Sequence, residues 1–272
     1  MLARDAMMAL AAREDEAAVI DPAVVSSSSQ GRARAPRRVG GVFFDERDGP
    51  LPALLLTFTL VAGVIDAISI LRLGHVFVAV ITGNLLFLGL AAAGAKGFSV
   101  VTCALALAGF IVGVLIGGQR CRCARHRGWA LRNVLAVKLC LASAVTLIAI
   151  FSGPHLPVGA SHAMVVLLAT SMGAQLAAIR YLKVPDLLTV VLTLTLTGAL
   201  TERPSGWNDP KMLRRGLALV AFAVGALSGG LLILNVGLVA ALLLGLGILV
   251  AVTIATQLLS RGSPSWTKPR SA

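Results

Sequence analysis

Residues Val76 to Ala95 read VFVAVITGNLLFLGLAAAGA, twenty residues without a charge. A straight helix of that length reaches about 30 Å, the thickness of a bilayer's hydrocarbon core. Length alone makes the stretch a crossing. The basic residues in the loops around it argue that it enters and leaves the membrane by one side, and that decision sets the fold.

Seven more apolar runs surround it: Leu51 to Leu73, Phe98 to Gln119, Val134 to Ser152, Ala160 to Ile179, Leu187 to Leu200, Leu217 to Leu234 and Val236 to Leu259. The sixth in chain order, Leu187 to Leu200, would extend only about 21 Å as a helix, too short to cross alone. If all eight crossed, lysines and arginines near the bilayer would divide 13 to 8 between the two faces. If the second and sixth fold back, the division becomes 19 to 2, with only Arg72 and Lys96 outside. Positive residues collect on the cytoplasmic face, so the second arrangement is the expected one. It gives an all-α polytopic membrane protein with six full transmembrane helices, two re-entrant or broken segments, and both termini cytoplasmic.

Composition agrees. The 272-residue chain is 57% hydrophobic and 13% charged, with a mean hydropathy of +0.88. A soluble domain carries about 25% charged residues, so a compact water-soluble fold is excluded and the lipid bilayer is the first partner. The net charge of +12 would suggest nucleic acid in a soluble protein. Aromatic residues are only 5%, too few for base-stacking platforms, so no nucleic-acid partner is expected. Residues 1–50 lack the basic-then-apolar pattern of a signal peptide and read as a disordered cytoplasmic tail. Residues 260–272 form a second cytoplasmic tail. Cys121, Cys123 and His126 could hold a soft metal, but Arg120, Arg122, Arg125 and Arg127 repel cations there. The expectation is no metal, no disulfide and no cofactor.

An internal match organises the rest. Phe110 to Gly118 reads FIVGVLIGG and Phe222 to Gly230 reads FAVGALSGG, six identities in nine positions at a spacing of 112 residues. A Thr-Gly pair precedes each, Thr82-Gly83 and Thr197-Gly198. The chain therefore reads as two membrane repeats, 51–152 and 153–259, inverted relative to each other by the charge count. Glycines at 109, 113 and 117, and at 225 and 229, suit close helix packing.

The stretch Gly63 to Asn84, GVIDAISILRLGHVFVAVITGN, resembles the YoaK-like family of bacterial inner-membrane proteins, with its Gly-x-x-Asp-Ala followed by a Phe and a Thr-Gly-Asn. Gly173 to Arg180, GAQLAAIR, and Asp186 to Gly198, DLLTVVLTLTLTG, are similar to that family's Gln-containing helix and Asp-Leu-Thr-rich segment. Leu188 departs from the pattern where a second Thr is preferred. The resemblance covers about Leu51 to Leu259 and implies a multi-pass protein of the bacterial plasma (inner) membrane, with no assigned chemistry.

Several polar residues lie in apolar surroundings. A carboxylate at Asp66, well inside the first run, costs about 2.5 to 3.5 kcal/mol on insertion scales and must face protein or water. It can bind a cation, relay a proton or accept hydrogen bonds from a neighbour. Thr82, Gly83 and Asn84 form a polar notch that reads either as a ligand contact or as a helix break satisfied by neighbours. Thr189, Thr193, Thr195 and Thr197 alternate with apolar residues, a pattern suited to irregular backbone lining a cavity. Asp186 after Pro185 is first of all a helix N-cap. Gln175 is a candidate contact for a polar solute, whereas Arg180, Lys183 and Lys138 read as snorkelling bases at a boundary.

No serine-histidine-acid order, phosphate loop, dinucleotide motif or HExxH occurs, so an enzyme is not expected. The favoured function is a transporter or channel-like permease for a small polar solute or ion, lined by Asp66, Thr82, Gly83, Asn84, Gln175, Asp186 and the Thr189 to Thr197 run. The alternatives are a non-transporting scaffold or sensor and, less favoured, an intramembrane enzyme. Cysteines introduced as Lys96→Cys and Ser205→Cys are expected to react with an impermeant thiol reagent from opposite faces of the membrane; reaction from one face would remove the folded-back arrangement.

Overall fold

A computed structural model describes residues 43–44, 48–124, 126–182, 197 and 210–260. Among them run seven helices: α1 (Leu51–Arg72), α2 (Ile81–Ala92), α3 (Val100–Arg122), α4 (Arg127–Ser152), α5 (Val158–Leu182), α6 (Pro210–Asn235) and α7 (Leu238–Leu259). Six are long and apolar enough to cross a membrane; α2, with 12 residues, is not. Apolar side chains such as Phe151, Leu234 and Val158 stand exposed on the outer surface, as lipid contact requires. The helices α3 to α6 extend past their apolar runs at one end or both. Arg127 and Arg132 begin α4, for example, because a helix need not stop where the hydrocarbon does.

A few polar contacts fix which helix ends lie together. Arg127 at the start of α4 pairs with Asp48 at 2.9 Å and also donates to the Leu182 carbonyl, so α1 begins, α4 begins and α5 ends at one end of the bundle. At the other end, Arg72 reaches the Pro154 carbonyl at 3.5 Å and Thr102 meets His162 at 3.2 Å. There α1 ends and α3 and α5 begin. The end of α7 flanks the start of α1 along an apolar groove, which puts residues 50 and 260 at the same end.

The principal helix contacts are α1 with α6 and α3 with α5. Both pairs run parallel, and both meet backbone to backbone at glycines. A Cβ added at Gly109 would lie 2.8 Å from the Val166 carbonyl oxygen, and at Gly117 2.7 Å from the Ala174 Cα. Gly113 faces the Thr170 carbonyl between them. In the other pair Gly225 faces Leu60, Gly229 faces Val64, and a Cβ at Gly63 would lie 2.7 Å from the Ala226 nitrogen. Carbon contacts are best at about 3.5–4.0 Å, so only glycine permits these approaches. Thr170 adds a hydrogen bond across the first pair, to the Gly109 carbonyl at 3.0 Å.

Parallel pairing has a topological result. Helix α1 ends and α3 begins at one end of the bundle, while α5 ends and α6 begins at the opposite end. The connecting stretches, 73–99 and 183–209, are equal in length. The first is held by aromatic rings: Phe77 stacks on Phe87 at 5.4 Å, Phe87 on Phe98 at 4.8 Å, and His75 meets Phe98 edge-on at 6.5 Å. Gly74 and His75 turn the chain with φ of 95° and 55°. The outer side of α2 exposes Ile81, Leu85, Leu86 and Leu90.

Gly113→Ala is expected to lower stability by about 1–3 kcal/mol in mixed-micelle unfolding, through overpacking against Thr170. Gly118→Ala, whose new methyl meets nothing within 4 Å, should be neutral or stabilising by up to about 1 kcal/mol.

Candidate functional site

Asp66, Lys138 and Gln175 stand among the polar side chains buried within membrane-spanning helices. Asp66 lies on α1, the most enclosed of the six long helices. It is 6% exposed, and its Oδ1 meets no hydrogen-bond donor. Its own backbone carbonyl accepts from the Ser69 hydroxyl at 3.0 Å, so the local helix is satisfied while the carboxyl is not. A buried carboxyl oxygen without a donor is costly.

Lys138 and Gln175 form the second centre, and both are fully buried. The Lys138 ammonium donates to Gln175 Oε1 at 2.6 Å and stands 5.7 Å from the centroid of the Phe58 ring. The sequence reading of Lys138 as a snorkelling base is therefore corrected. Its position on α4, eleven residues from Arg127, places its Cα about 16 Å along the helix axis. From there the side chain leans toward the helix N-terminus, onto the neighbouring glutamine instead of water. A lysine near the start of an apolar run gives no sequence signal that separates these outcomes. Only the pairing of α4 with α5 decides.

The two centres sit at different depths. Counting at 1.5 Å per residue, Asp66 lies about 22 Å from the start of α1, while Phe58 and Gln175 lie about 10 Å from the same end of the bundle. Gln175 is two residues past Gly173, and Asp66 three past Gly63. Each polar group therefore follows the glycine that seats its helix on its partner. Gly173 makes with Phe110 and Val114 the contact that Gly63 makes with Phe222 and Ala226.

The notch residues have other surroundings. Asn84 is buried, accepts from the Phe77 N–H at 2.9 Å and donates to the Phe77 carbonyl. Its amide thereby closes the chain entering α2 as a strand partner would. Gly83 is pressed against the Phe77 ring, 2.6 Å from where a Cβ would stand, and Thr82 is exposed. Thr197 is helical and exposed; Asp186, Thr189, Thr193 and Thr195 lie outside the described residues.

Two further polar features escaped the sequence reading. Asp48 and Arg127 form a buried ion pair, their side chains 3% and 6% exposed. His126 caps α4, its Nδ1 accepting from the Trp129 N–H at 3.2 Å. Among the described residues no group of three His, Cys, Asp or Glu side chains could hold a metal ion.

Asn84→Ala removes both partners of the Phe77 backbone, and each orphaned group costs about 1–3 kcal/mol where it is buried. A drop in the thermal midpoint is expected, with Asn84→Ser recovering little of it because one hydroxyl cannot reproduce the paired bonds.

Comparison with known proteins places these features in a family. Residues 54–255 match the family model described as protein of unknown function (DUF1275). The UPF0700 transmembrane protein YoaK of Bacillus subtilis (strain 168) is 32% identical over 184 residues, which are 64% of this chain and 80% of that protein. No solved structure matches. On the span of the family model and the identity to its Bacillus relative, the chain belongs to the YoaK-like (DUF1275) family of multi-pass membrane proteins.

Proposed function

We propose that the protein is a permease for a small polar solute or ion, built from two inverted repeats, with Asp66 and the Lys138–Gln175 pair as polar stations along its path. The observation that carries this reading is Asp66: a carboxyl oxygen buried in a membrane-spanning helix with no donor to meet it. Structural glue would be satisfied by its neighbours, whereas a solute or ion station keeps a position open.

Matched helix contacts support the duplication. Residues of α1 correspond to those of α5 at a shift of 110, and residues of α3 to those of α6 at a shift of 112. Under these shifts the contacts of Gly113, Gly117 and Gly173 become those of Gly225, Gly229 and Gly63, while Gly109 falls on Ala221. With α2 too short to cross, α1 and α5 run in opposite senses through the bilayer, so the repeats are inverted. In transporters of that build, binding sites lie where the repeats meet and helices are discontinuous. The stretch 73–99, with the short helix α2, is the candidate for such a place, and the exposed leucines of α2 support its lying in the membrane as a re-entrant segment. The threonines at 189, 193, 195 and 197 are assigned to the path on their alternating sequence pattern, while Asn84 serves as the brace of the first fold-back.

Sidedness follows from charge. Arg120, Arg122, Arg127, Arg180 and Arg214 gather at the end where α1 begins, against Arg72 and Lys96 at the other. The positive-inside rule makes the richer end cytoplasmic. Both termini are thus assigned to the cytoplasm of a cell with this protein in its plasma membrane. No catalytic role is assigned to the chain.

Reconstituted into proteoliposomes, the protein is expected to catalyse flux of at least one solute from a panel of cations, anions and neutral polar molecules. Asp66→Asn should reduce that flux at least about tenfold with normal folding, a loss of about 1.4 kcal/mol or more. Folded protein that moves nothing in the panel would favour a scaffold or sensor.

A further inference from the structure

From the geometry around Lys138 we infer that the Lys138–Gln175 centre is an anion site, built to hold one small monovalent anion between the ammonium and the neighbouring helices. The inference rests on the permease reading for its place on a path, but its chemistry stands on the site itself.

A lysine ammonium has three N–H donors and no acceptor. At Lys138 one is engaged by Gln175 Oε1 at 2.6 Å, and the Phe58 ring lies 5.7 Å away on another side. Neither partner carries a negative charge. The ion pair described among the membrane helices, Asp48–Arg127, involves neither residue. Asp66 lies about 12 Å further along the bundle axis by helix rise. The centre is thus a fully buried ammonium supported by a neutral acceptor and an aromatic face, with donor capacity left over.

A purely structural pair would not be built this way. Replacing a buried charge with apolar residues of equal size usually leaves stability unchanged or improved, and an uncompensated ammonium in low dielectric is costly. An anion beside Lys138 supplies the missing charge and accepts the unused protons. The single ammonium limits the guest to one negative charge, since a dianion would leave a net charge buried. Full burial of Lys138 and Gln175 restricts the guest to a small one. Halides and small carboxylates share that chemistry. Gln175 fixes the ammonium's direction and so acts as a positioning residue. Phe58 supplies a cation-π contact, which steadies the amine when no anion is present.

The test uses full-length protein in a non-ionic detergent, in sodium gluconate at constant ionic strength. Gluconate is replaced stepwise by chloride, nitrate, formate or acetate, and the thermal midpoint is recorded. At least one small anion is expected to raise the midpoint saturably, and comparing chloride with acetate separates halide from carboxylate recognition. Exchanging sodium for potassium should have no effect. Lys138→Met should abolish the anion-dependent rise, and Gln175→Leu should weaken the apparent affinity about tenfold. A wild-type midpoint that follows gluconate for all four anions would overturn the inference, as would an undiminished response in Lys138→Met. Should Lys138→Met fail to fold, an unchanged affinity in Gln175→Leu overturns it instead. Flux of cations or neutral solutes without any anion response would leave the permease standing and remove the anion site. A saturable anion response without flux of any solute would do the reverse.

Discussion

Lipid tails are as apolar as leucine side chains, so helices inside a bilayer gain little from burying apolar surface against each other. Contact at short range has to supply the attraction. In this protein it comes from the two parallel pairs in which Gly109, Gly113 and Gly117 meet α5, and Gly225 and Gly229 meet α1. A single methyl at any of these would separate backbones that now touch. Because α1 ends at the end of the bundle where α3 begins, the chain between them has to return to the end it left. The turn at Gly74 and His75, the Phe77–Phe87–Phe98 stack and the Asn84 brace are the local means by which 73–99 meets that requirement.

The same contacts explain where polarity can be tolerated. Helices α1 and α5 are the most enclosed of the six long helices, and these two carry Asp66 and Gln175. Side chains on them reach protein before they reach lipid. At the end of the bundle the Asp48–Arg127 pair shows how this fold treats a structural charge: an opposite charge at 2.9 Å and a carbonyl beside it. Among the described residues, Asp66 and Lys138 receive neither. The contrast lies within one molecule and one membrane, and it is the ground on which a separate role is proposed for these two groups.

Much of this arrangement was legible in the residues. Apolar length located the six long helices, because the bilayer imposes a minimum that composition must meet. The FIVGVLIGG and FAVGALSGG match marked the two helices that use glycine for contact. Other features were hidden because they depend on which helix lies beside which. Lys138 looked like a boundary base until α5 placed Gln175 against it. Asn84 looked like a candidate solute contact, although its amide is engaged by a backbone only seven residues earlier. Helix starts were also missed, since charged first turns such as that of α4 lie outside the apolar run that signals a span.

A carboxyl group nearer one face and an ammonium nearer the other give the proposed path a particular electrostatic form. An anion held at Lys138 brings its charge to a centre that lacks one. Passing toward the opposite face, it approaches Asp66, whose ionised form would repel it and whose protonated form would not. On the proposed path, movement of the anion past that depth would be easier in company with a proton, and the pair would cross without net charge. Under the proposed inverted repeat the two stations occupy related positions, Asp66 next to Ile65 and Gln175 next to Leu176, so that a carboxyl and the amide that holds the ammonium stand at matching depths from opposite faces. A duplicated fold with identical stations in both halves would attract one ion twice. On the proposed reading, divergence of these neighbouring positions would let one half hold an anion and the other the proton that accompanies it.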